Sequence, residues 1–167
     1  PEERNAKLEQ QIVALAPTGY LGMPNTPDWE TLEKTLDSLE LVIYDHRLSP
    51  EIRHNGFSLA VIMMMTFCLG LRHTIDIQIG RRKVEEGSIA FFREKGDDRL
   101  LVIPPRLDAQ LNYYDIHMEV VYSWTGFEDK IKKIGSPTFF LFDKSGDPIL
   151  FHPARFGEYL EEIGITF

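Results

Sequence analysis

Residues 57–71 read FSLAVIMMMTFCLGL and form the longest apolar run in the sequence. The run covers 15 positions, whereas a helix needs about 20 apolar residues to cross a bilayer. Because its apolar residues would lie on every side of a helix, the run predicts a helix buried in the core of a domain. The three consecutive methionines within it are expected to fill gaps in that core as flexible side chains.

The composition of the 167 residues is that of an ordinary globular protein, with 43% hydrophobic and 26% charged residues. A single cysteine excludes an internal disulfide framework and a cysteine-rich zinc site. The five histidines are scattered without ligand spacing, so we expect no metal centre and no cofactor. We also expect a cytoplasmic protein without a membrane partner.

The chain before the run predicts two helices separated by loops. Residues 3–15 carry Leu8, Ile12, Val13 and Leu15 near helical spacing. The Pro- and Gly-rich residues 16–28 predict a loop, and the second helix starts at Thr26–Pro27. Residues 46–56 are interpreted as another loop. The expected buried stripe of the second helix consists of Trp29, Leu32, Leu36, Leu39 and Val42.

The chain after the run predicts strands mixed with helices. Residues 84–103 indicate two strands around the turn KGDD, followed by a helix that starts near Pro105. Residues 136–151 indicate a strand, a turn at DKSGD and a short strand, and a closing helix stops near Gly164. This order predicts an α+β, mainly α fold: a helical domain with a small antiparallel hairpin or sheet. We expect residues 1–50 to form an N-terminal helical region or arm, and residues 51–167 a second domain.

Charge is uneven along the chain. The net charge is −8, which argues against generic affinity for nucleic acids, yet residues 81–106 carry seven basic and five acidic side chains. Arg72 follows the end of the apolar run, and Lys95 lies in the expected hairpin turn. A rigid arginine fork suits a phosphate, and a mobile lysine could donate a proton to a leaving oxygen. Either residue alone has an ordinary structural explanation, as a helix cap or a soluble turn.

The order of these elements resembles the catalytic domain of the tyrosine recombinases, the phage-integrase family, over about residues 57–165. In that family an apolar helix ends in G-[LQ]-R, a hairpin carries a catalytic lysine, and the second strand leads through a V-P stretch into a helix. Gly70, Leu71 and Arg72 match the first box, and Lys95 lies in "EEGSIAFFREKGDDRLLVIPPRL". The family has an acidic residue three positions after the arginine, whereas this chain has Ile75 there.

The resemblance implies DNA strand cleavage and rejoining through a phosphotyrosyl intermediate, without a metal. Arg72 would hold the phosphate and Lys95 would protonate the leaving oxygen. His152 and Arg155, in "HPAR", match the letters of the H-x-x-R box, on a shorter helix than the family has. It further implies a mobile-element protein with DNA as partner, compatible with a homo-oligomer on DNA. The predicted DNA-contacting residues are Arg81, Arg82, Lys83, Arg93 and Arg99.

The expected nucleophile is missing from these residues. Tyr159 lies too close to His152, and Tyr113, Tyr114 and Tyr122 lie in the wrong part of the chain for the family pattern. Since the mechanism needs a nucleophile, we expect this chain alone not to cleave DNA.

Two alternatives stay open. "KIGSPTFFLFDKSGDPILF" also resembles the later half of a thioredoxin-like fold, with Pro137 as its cis-proline and Cys68 as a redox thiol. Against it, there is no C-x-x-C pair, and Cys68 lies in an apolar run that favours an inert thiol. The other alternative is a catalytically inactive recombinase-like module that binds a partner, which the acidic balance favours.

Overall fold

The described residues form helices that enclose a core and carry two small antiparallel sheets, an α+β, mainly α architecture as predicted. The computed structural model describes residues 28–70, 80–84, 87–94 and 97–166, with the backbone alone at 80–84, 87–94 and 97–99. The elements in chain order are α1 (Trp29–Tyr44), α2 (Pro50–Leu69), β1 (Gly80–Val84), β2 (Gly87–Glu94), β3 (Asp97–Ile103), α3 (Pro105–Tyr122), α4 (Phe127–Lys133), β4 (Phe140–Phe142), β5 (Pro148–Leu150), a 3-10 turn (Pro153–Arg155) and α5 (Phe156–Glu162).

Helix α2 is the central element and confirms the buried helix predicted from the apolar run. Met63, Met64 and Met65 are at most 6% exposed, and the helix packs against α1, α3 and β4. Its C-terminal cap is Gly70, whose positive φ of 63° suits glycine and whose N–H bonds to Thr66 O. Helix α2 is long and apolar enough to cross a membrane, but 67% of its apolar window is buried within the fold, as in the core helix of a soluble protein.

The start of α2 corrects the loop predicted at 46–56. The helix begins at Pro50, so more than half of that stretch is helical. Ser49 caps it by accepting a hydrogen bond from the Ile52 N–H, and proline occupies the first turn, where no N–H is needed. The Ser-Pro pair therefore starts a helix here, although it also resembles a turn signal.

Helix α1 packs against α2 through the middle of its predicted stripe. Leu32, Leu36 and Leu39 are buried, whereas Trp29 is 57% exposed and does not belong to the core. Trp29 is the first residue after the cap Asp28, so it lies at the solvent-facing end of the helix. The two helices approach closely at Gly56, where an added Cβ would meet Val42 Cγ1 at 3.0 Å.

The first sheet has the order β1-β2-β3, with antiparallel pairing throughout. The predicted hairpin is therefore present, and β1 is a strand that the sequence interpretation missed. Strand β3 ends at the buried Ile103 and runs directly into α3, which starts at Pro105 as predicted. This sheet thus follows the core helix α2 and precedes α3 in the chain.

The C-terminal part confirms the predicted strand–turn–strand and closing helix, and adds the short helix α4. Strands β4 and β5 pair in register, with Phe140 opposite Leu150. Gly164 ends the chain's last helix with a positive φ of 84°. Helix α4 has seven residues, and its Phe127 and Ile131 pack with Phe140 in a second cluster of buried side chains.

Some predicted features lie outside the described residues: the helix at 3–15, the loop at 16–27 and the KG of the hairpin turn at 95–96. The boundary predicted between residues 50 and 51 falls at the first residues of α2. Helices α1 and α2 contribute to one common core cluster.

Candidate functional site

The two residues at the centre of the predicted phosphate site, Arg72 and Lys95, lie outside the described residues. Their chain neighbours are described. Arg72 follows two positions after Gly70, the left-handed cap that ends α2. Lys95 lies in the sequence between Glu94 and Asp97, which pair as the last residue of β2 and the first of β3. That Arg72 and Lys95 lie close together therefore stays a prediction.

The predicted DNA-contacting residues all belong to the three-stranded sheet, but their backbone positions alternate between its two faces. Arg81 lies opposite Ala90 on β2, which in turn lies opposite Leu101 on β3. In the same way, Arg82 lies opposite Ile89, which lies opposite Val102. Leu101 is half-buried against the core, whereas Val102 is 74% exposed. Because neighbouring strand positions alternate faces, positions 81, 83 and 99 share the core-side face, and positions 82 and 93 share the outer face.

The "HPAR" residues lie on an exposed turn before α5. Arg155 donates a hydrogen bond from Nε to Glu158 Oε2 at 2.7 Å, and its guanidinium lies 5.2 Å from the Tyr159 ring centroid. The hydrogen bond to Glu158 raises the pKa of Arg155. His152 donates its backbone N–H to Tyr159 Oη, and its side chain is exposed. Two of the four predicted catalytic residues are thus neighbours on the surface.

A buried polar network joins α2, α3 and the segment leading into β4. His54 Nδ1 lies 2.9 Å from His117 Nε2, and His54 Nε2 lies 3.1 Å from both Phe140 O and Ser58 Oγ. Ser58 Oγ in turn lies 3.2 Å from Tyr114 Oη, which donates to Thr138 O. We call these residues the His54 network: His54, Ser58, Tyr114 and His117, with the carbonyls of Thr138 and Phe140.

The carbonyls fix the direction of every hydrogen bond in the His54 network. A carbonyl oxygen can only accept, so His54 Nε2 carries the proton and His54 Nδ1 accepts from His117 Nε2–H. Tyr114 donates to Thr138 O, so its oxygen is free to accept from the Ser58 hydroxyl. With neutral imidazoles, each donor therefore has an acceptor, and the network is stable without a net charge.

Burial keeps both imidazoles neutral. His54 is fully buried, and desolvation together with the neighbouring His117 lowers its pKa to about 3. Burial also lowers the pKa of His117, with a further contribution from the charge of Arg53. Burial raises the pKa of Tyr114, and the hydrogen bond from Ser58 opposes that rise. Near neutral pH the network is therefore uncharged, and its hydrogen bonds stabilise the packing of α2 against α3 and β4.

A second contact docks β4 on α2. The Asn55 side chain accepts from the Phe142 N–H at 2.7 Å and donates to Phe142 O at 2.9 Å. The carboxamide thus pairs with the strand in the way a neighbouring strand would. Together with the bond from His54 to Phe140 O, it gives partners from α2 to three backbone groups of β4.

Sequence reasoning missed the His54 network because it looked for metal spacing. The signal was the helical spacing of polar residues on apolar helices: His54 and Ser58 are four apart, and Tyr114 and His117 are three apart. Such spacing puts each pair on one helix face. Nothing in the sequence says that the two faces meet.

The tyrosines and Cys68 bear on the chemistry available. Tyr114 and Tyr159 are buried, at 1% and 4% exposure, whereas Tyr113 and Tyr122 are exposed.

Burial raises the pKa of the half-buried Cys68 thiol, and the charge of Arg106 opposes the rise. A raised pKa disfavours the reactive thiolate, as expected for an inert thiol. No group of three metal-ligating side chains occurs within the described residues.

The thioredoxin-like alternative also needs a larger sheet and a cis-proline. Strands β4 and β5 form a sheet of two strands among the described residues, and no cis peptide bond occurs there, including at Pro137.

No family model, no curated protein and no solved structure matches this chain.

Proposed function

We propose that this chain is the phosphate-binding part of a tyrosine-recombinase-type domain that binds DNA. The observation that supports it best is the order of elements. The buried helix α2 ends at a glycine cap two residues before Arg72, an antiparallel sheet follows with Lys95 between β2 and β3, and β3 leads through two prolines into α3. That is the order on which the resemblance rests.

In this proposal each residue has a distinct chemical role. The Arg72 guanidinium holds two oxygens of a DNA phosphodiester, while a tyrosine oxygen attacks the phosphorus. A phosphotyrosyl bond forms as the tyrosine hydroxyl loses its proton to solvent, the bond from phosphorus to the 5′-oxygen breaks, and Lys95 gives that oxygen its proton. His152 and Arg155 are the candidates for the second phosphate contact. The tyrosine would come from outside these residues, since Tyr114 and Tyr159 are buried and the exposed Tyr113 and Tyr122 lie in the wrong part of the chain for the family pattern.

A basic sheet next to an acidic remainder fits this role. The basic residues of the sheet are predicted to contact the DNA backbone, and the negative charge elsewhere limits binding at other faces. Such binding weakens steeply as the salt concentration rises. The logarithm of the affinity falls with the logarithm of the salt concentration by a slope of about 0.9 for each phosphate neutralised.

The test is a salt titration of binding to duplex DNA, with charge-matched variants. We expect the Arg82→Ala/Arg93→Ala variant, at the two basic positions that share the outer face of the sheet, to lower the slope of log affinity against log salt by about 2, because two phosphate contacts are lost. Lys132→Ala/Lys133→Ala, on the exposed surface of α4, is the control and should leave the slope unchanged. No binding at low salt, or equal effects of the two variants, would overturn the proposal.

Catalysis is tested separately, in a protein that carries both this chain and a tyrosine box. Arg72→Ala and Lys95→Ala should each abolish or strongly reduce covalent protein–DNA product while Lys132→Ala leaves it unchanged. Unchanged cleavage by the Arg72 and Lys95 variants would show that these residues do not handle the phosphate.

A second candidate function is a non-catalytic module that binds a partner protein. One observation favours it: Tyr113, Ile116 and Val120 form an exposed apolar stripe on α3, each more than half exposed. The absence of DNA binding in the salt titration would favour this function over the first.

A further inference from the structure

An open groove lies between α1, α2 and α3, and residues of these three helices line it. It encloses about 220 Å³, and its floor is apolar, with Leu36, Ala60 and Met64 among the floor residues. Tyr44 of α1 and Tyr113 of α3 stand at its two sides and are 64% and 65% exposed. A groove of this kind is the surface on which an amphipathic helix of another protein packs its apolar face.

The apolar surface continues along α3 beyond the groove. Tyr113, Ile116 and Val120 occupy positions i, i+3 and i+7, so they lie along one side of the helix, and each is more than half exposed. They extend over about 10 Å, roughly two turns of helix. Anchors at this spacing are typical of contacts between a helix and a partner helix.

The α1 side of the groove is acidic. Glu33, Asp37 and Glu40 are exposed and occupy positions i, i+4 and i+7 on α1; we call them the acidic rim. Glu40 lines the groove, and Asp37 and Glu40 line the adjoining hollow beside Tyr44. Within the described residues, no side chain of the acidic rim forms an ion pair. The basic side chain of the groove lining, Arg106, belongs to α3 on the other side.

The acidic rim determines the charge of a suitable partner. Like charges four positions apart destabilise a helix, so Glu33 and Asp37 repel each other in the free protein. Basic side chains placed along this rim would replace that repulsion by attraction, whereas acidic ones would add to it. The apolar floor therefore favours a helix with one apolar face, and the rim favours lysine or arginine along one edge of that face.

We propose that the groove between α1, α2 and α3 binds a basic amphipathic helix of a partner protein. The apolar face of that helix packs on the groove floor and on Tyr113. Its basic side chains lie against the acidic rim of α1. This contact is independent of DNA binding, since it uses neither the sheet nor the "HPAR" turn, and the salt titration with DNA tests the other role separately.

The test is fluorescence anisotropy of the whole chain with two labelled synthetic helical peptides. Both have about 14 residues, roughly four turns, and the same leucine pattern on one face, but one carries lysine and the other glutamate at its polar positions. We expect the lysine peptide to bind and the glutamate peptide not to bind. Asp37→Lys/Glu40→Lys reverses the charge of the rim, so it should weaken binding of the lysine peptide at least about tenfold and allow the glutamate peptide to bind.

The matched control is Glu161→Lys/Glu162→Lys, at the exposed end of α5 and outside the groove lining. It changes the net charge by the same amount, and basic side chains suit the C-terminal end of a helix, so the control should fold. Both peptides should bind it as they bind the unaltered chain. Tyr113→Ala should weaken binding of the lysine peptide, because it removes an apolar contact at the α3 side of the groove.

Circular dichroism shows that each variant is folded, and the exposed positions of the substitutions favour this. A reversed preference in the rim variant, with an unchanged control, supports the proposal. Absence of lysine-peptide binding overturns it, and so does an equal loss in the two charge variants, which would show attraction to net charge alone. A chain that sediments as a dimer and becomes monomeric in Tyr113→Ala also overturns it, because the occupant of the groove would then be a second copy.

Discussion

His54 and His152 occupy opposite surroundings in this molecule. His54 is fully buried and hydrogen-bonded through both ring nitrogens to His117 and Phe140, whereas His152 lies exposed on a turn beside Arg155. The exposed histidine belongs to a recognisable letter pattern, and the buried one does not. A histidine that matches a sequence motif is therefore not necessarily one on which the fold depends. Burial of the side chain, and not membership of a motif, identifies the histidine that stabilises the structure.

The largest effect should come from removing the buried histidine. His54→Ala leaves Phe140 O and His117 without their partner and opens a cavity between α2 and β4, so we expect a loss of about 3–5 kcal/mol in the free energy of unfolding. Urea denaturation followed by circular dichroism measures it. His152→Ala should leave the urea midpoint unchanged. Equal midpoints for the two variants would contradict the structural role of the network.

The next effect concerns the carboxamide that docks β4 on α2. Asn55→Ala leaves the Phe142 N–H and C=O without their partner, so we expect a loss of about 2–3 kcal/mol. The control is Ser38→Ala, whose exposed hydroxyl bonds only within its own helix. If the thermal and urea midpoints of Asn55→Ala match those of Ser38→Ala, then water replaces the Asn55 side chain as hydrogen-bond partner of Phe142, and the carboxamide does not stabilise the fold.

The pH dependence of stability distinguishes the two histidines further. The pKa of His54 is lowered from its ordinary 6.5 to about 3 in the folded chain. Below pH 6.5 the unfolded chain therefore binds a proton at this residue that the folded chain does not bind. Stability is therefore complete above pH 6.5 and decreases as the pH falls toward 3. Between pH 7 and pH 5 we expect His54 alone to account for about 2 kcal/mol, and His117 adds to it in the same direction.

Urea unfolding at pH 7 and pH 5 measures this difference. The lowered carboxyl pKa values of Asp28 and Asp45 reduce stability only below about pH 5, so they do not contribute in this range. His54→Leu should reduce the difference between the two pH values, whereas His152→Ala should preserve it. A stability that does not change from pH 7 to pH 5 would show that the buried imidazoles are protonated without cost.

The smallest effect should come from the exposed turn. Arg155 is paired with Glu158 in water, at side-chain exposures of 47% and 61%, and such pairs contribute little. Arg155→Ala should therefore leave the urea midpoint unresolved from that of the unaltered chain. A clear loss of stability would mean that the contact of Arg155 with the Tyr159 ring is structural, which would weaken its candidacy as a phosphate ligand.

The fold was predictable from the sequence wherever a segment carried a strong local pattern. The apolar run at 57–71 predicted the core helix, the Pro105 start of α3 was correct, and the DKSGD turn lies between β4 and β5. The loop at 46–56 was wrong because a serine–proline pair is both a turn signal and a helix start. Strand β1 and helix α4 were missed because short elements depend on tertiary packing more than on local preference.

The candidate site was less predictable than the fold. Order and spacing could associate Arg72 with Lys95, but the distance between them depends on how the chain turns after Gly70. The pairing of His54 with His117 joins residues 63 positions apart, and no local rule connects them. Trp29 shows that spacing can also predict burial wrongly. Its spacing along the helix suits the core, but its position at the end of α1 leaves it exposed.

The Asn55 carboxamide also has a consequence for self-association. An unpaired strand edge is a template on which another chain can add a strand and start aggregation. Side chains of α2 cover the outer edge of β4, and β5 has only three residues and begins with Pro148, which has no N–H to donate. The small sheet is therefore protected at both edges, so Asn55→Ala, besides destabilising the fold, should make the protein more prone to aggregate through β4.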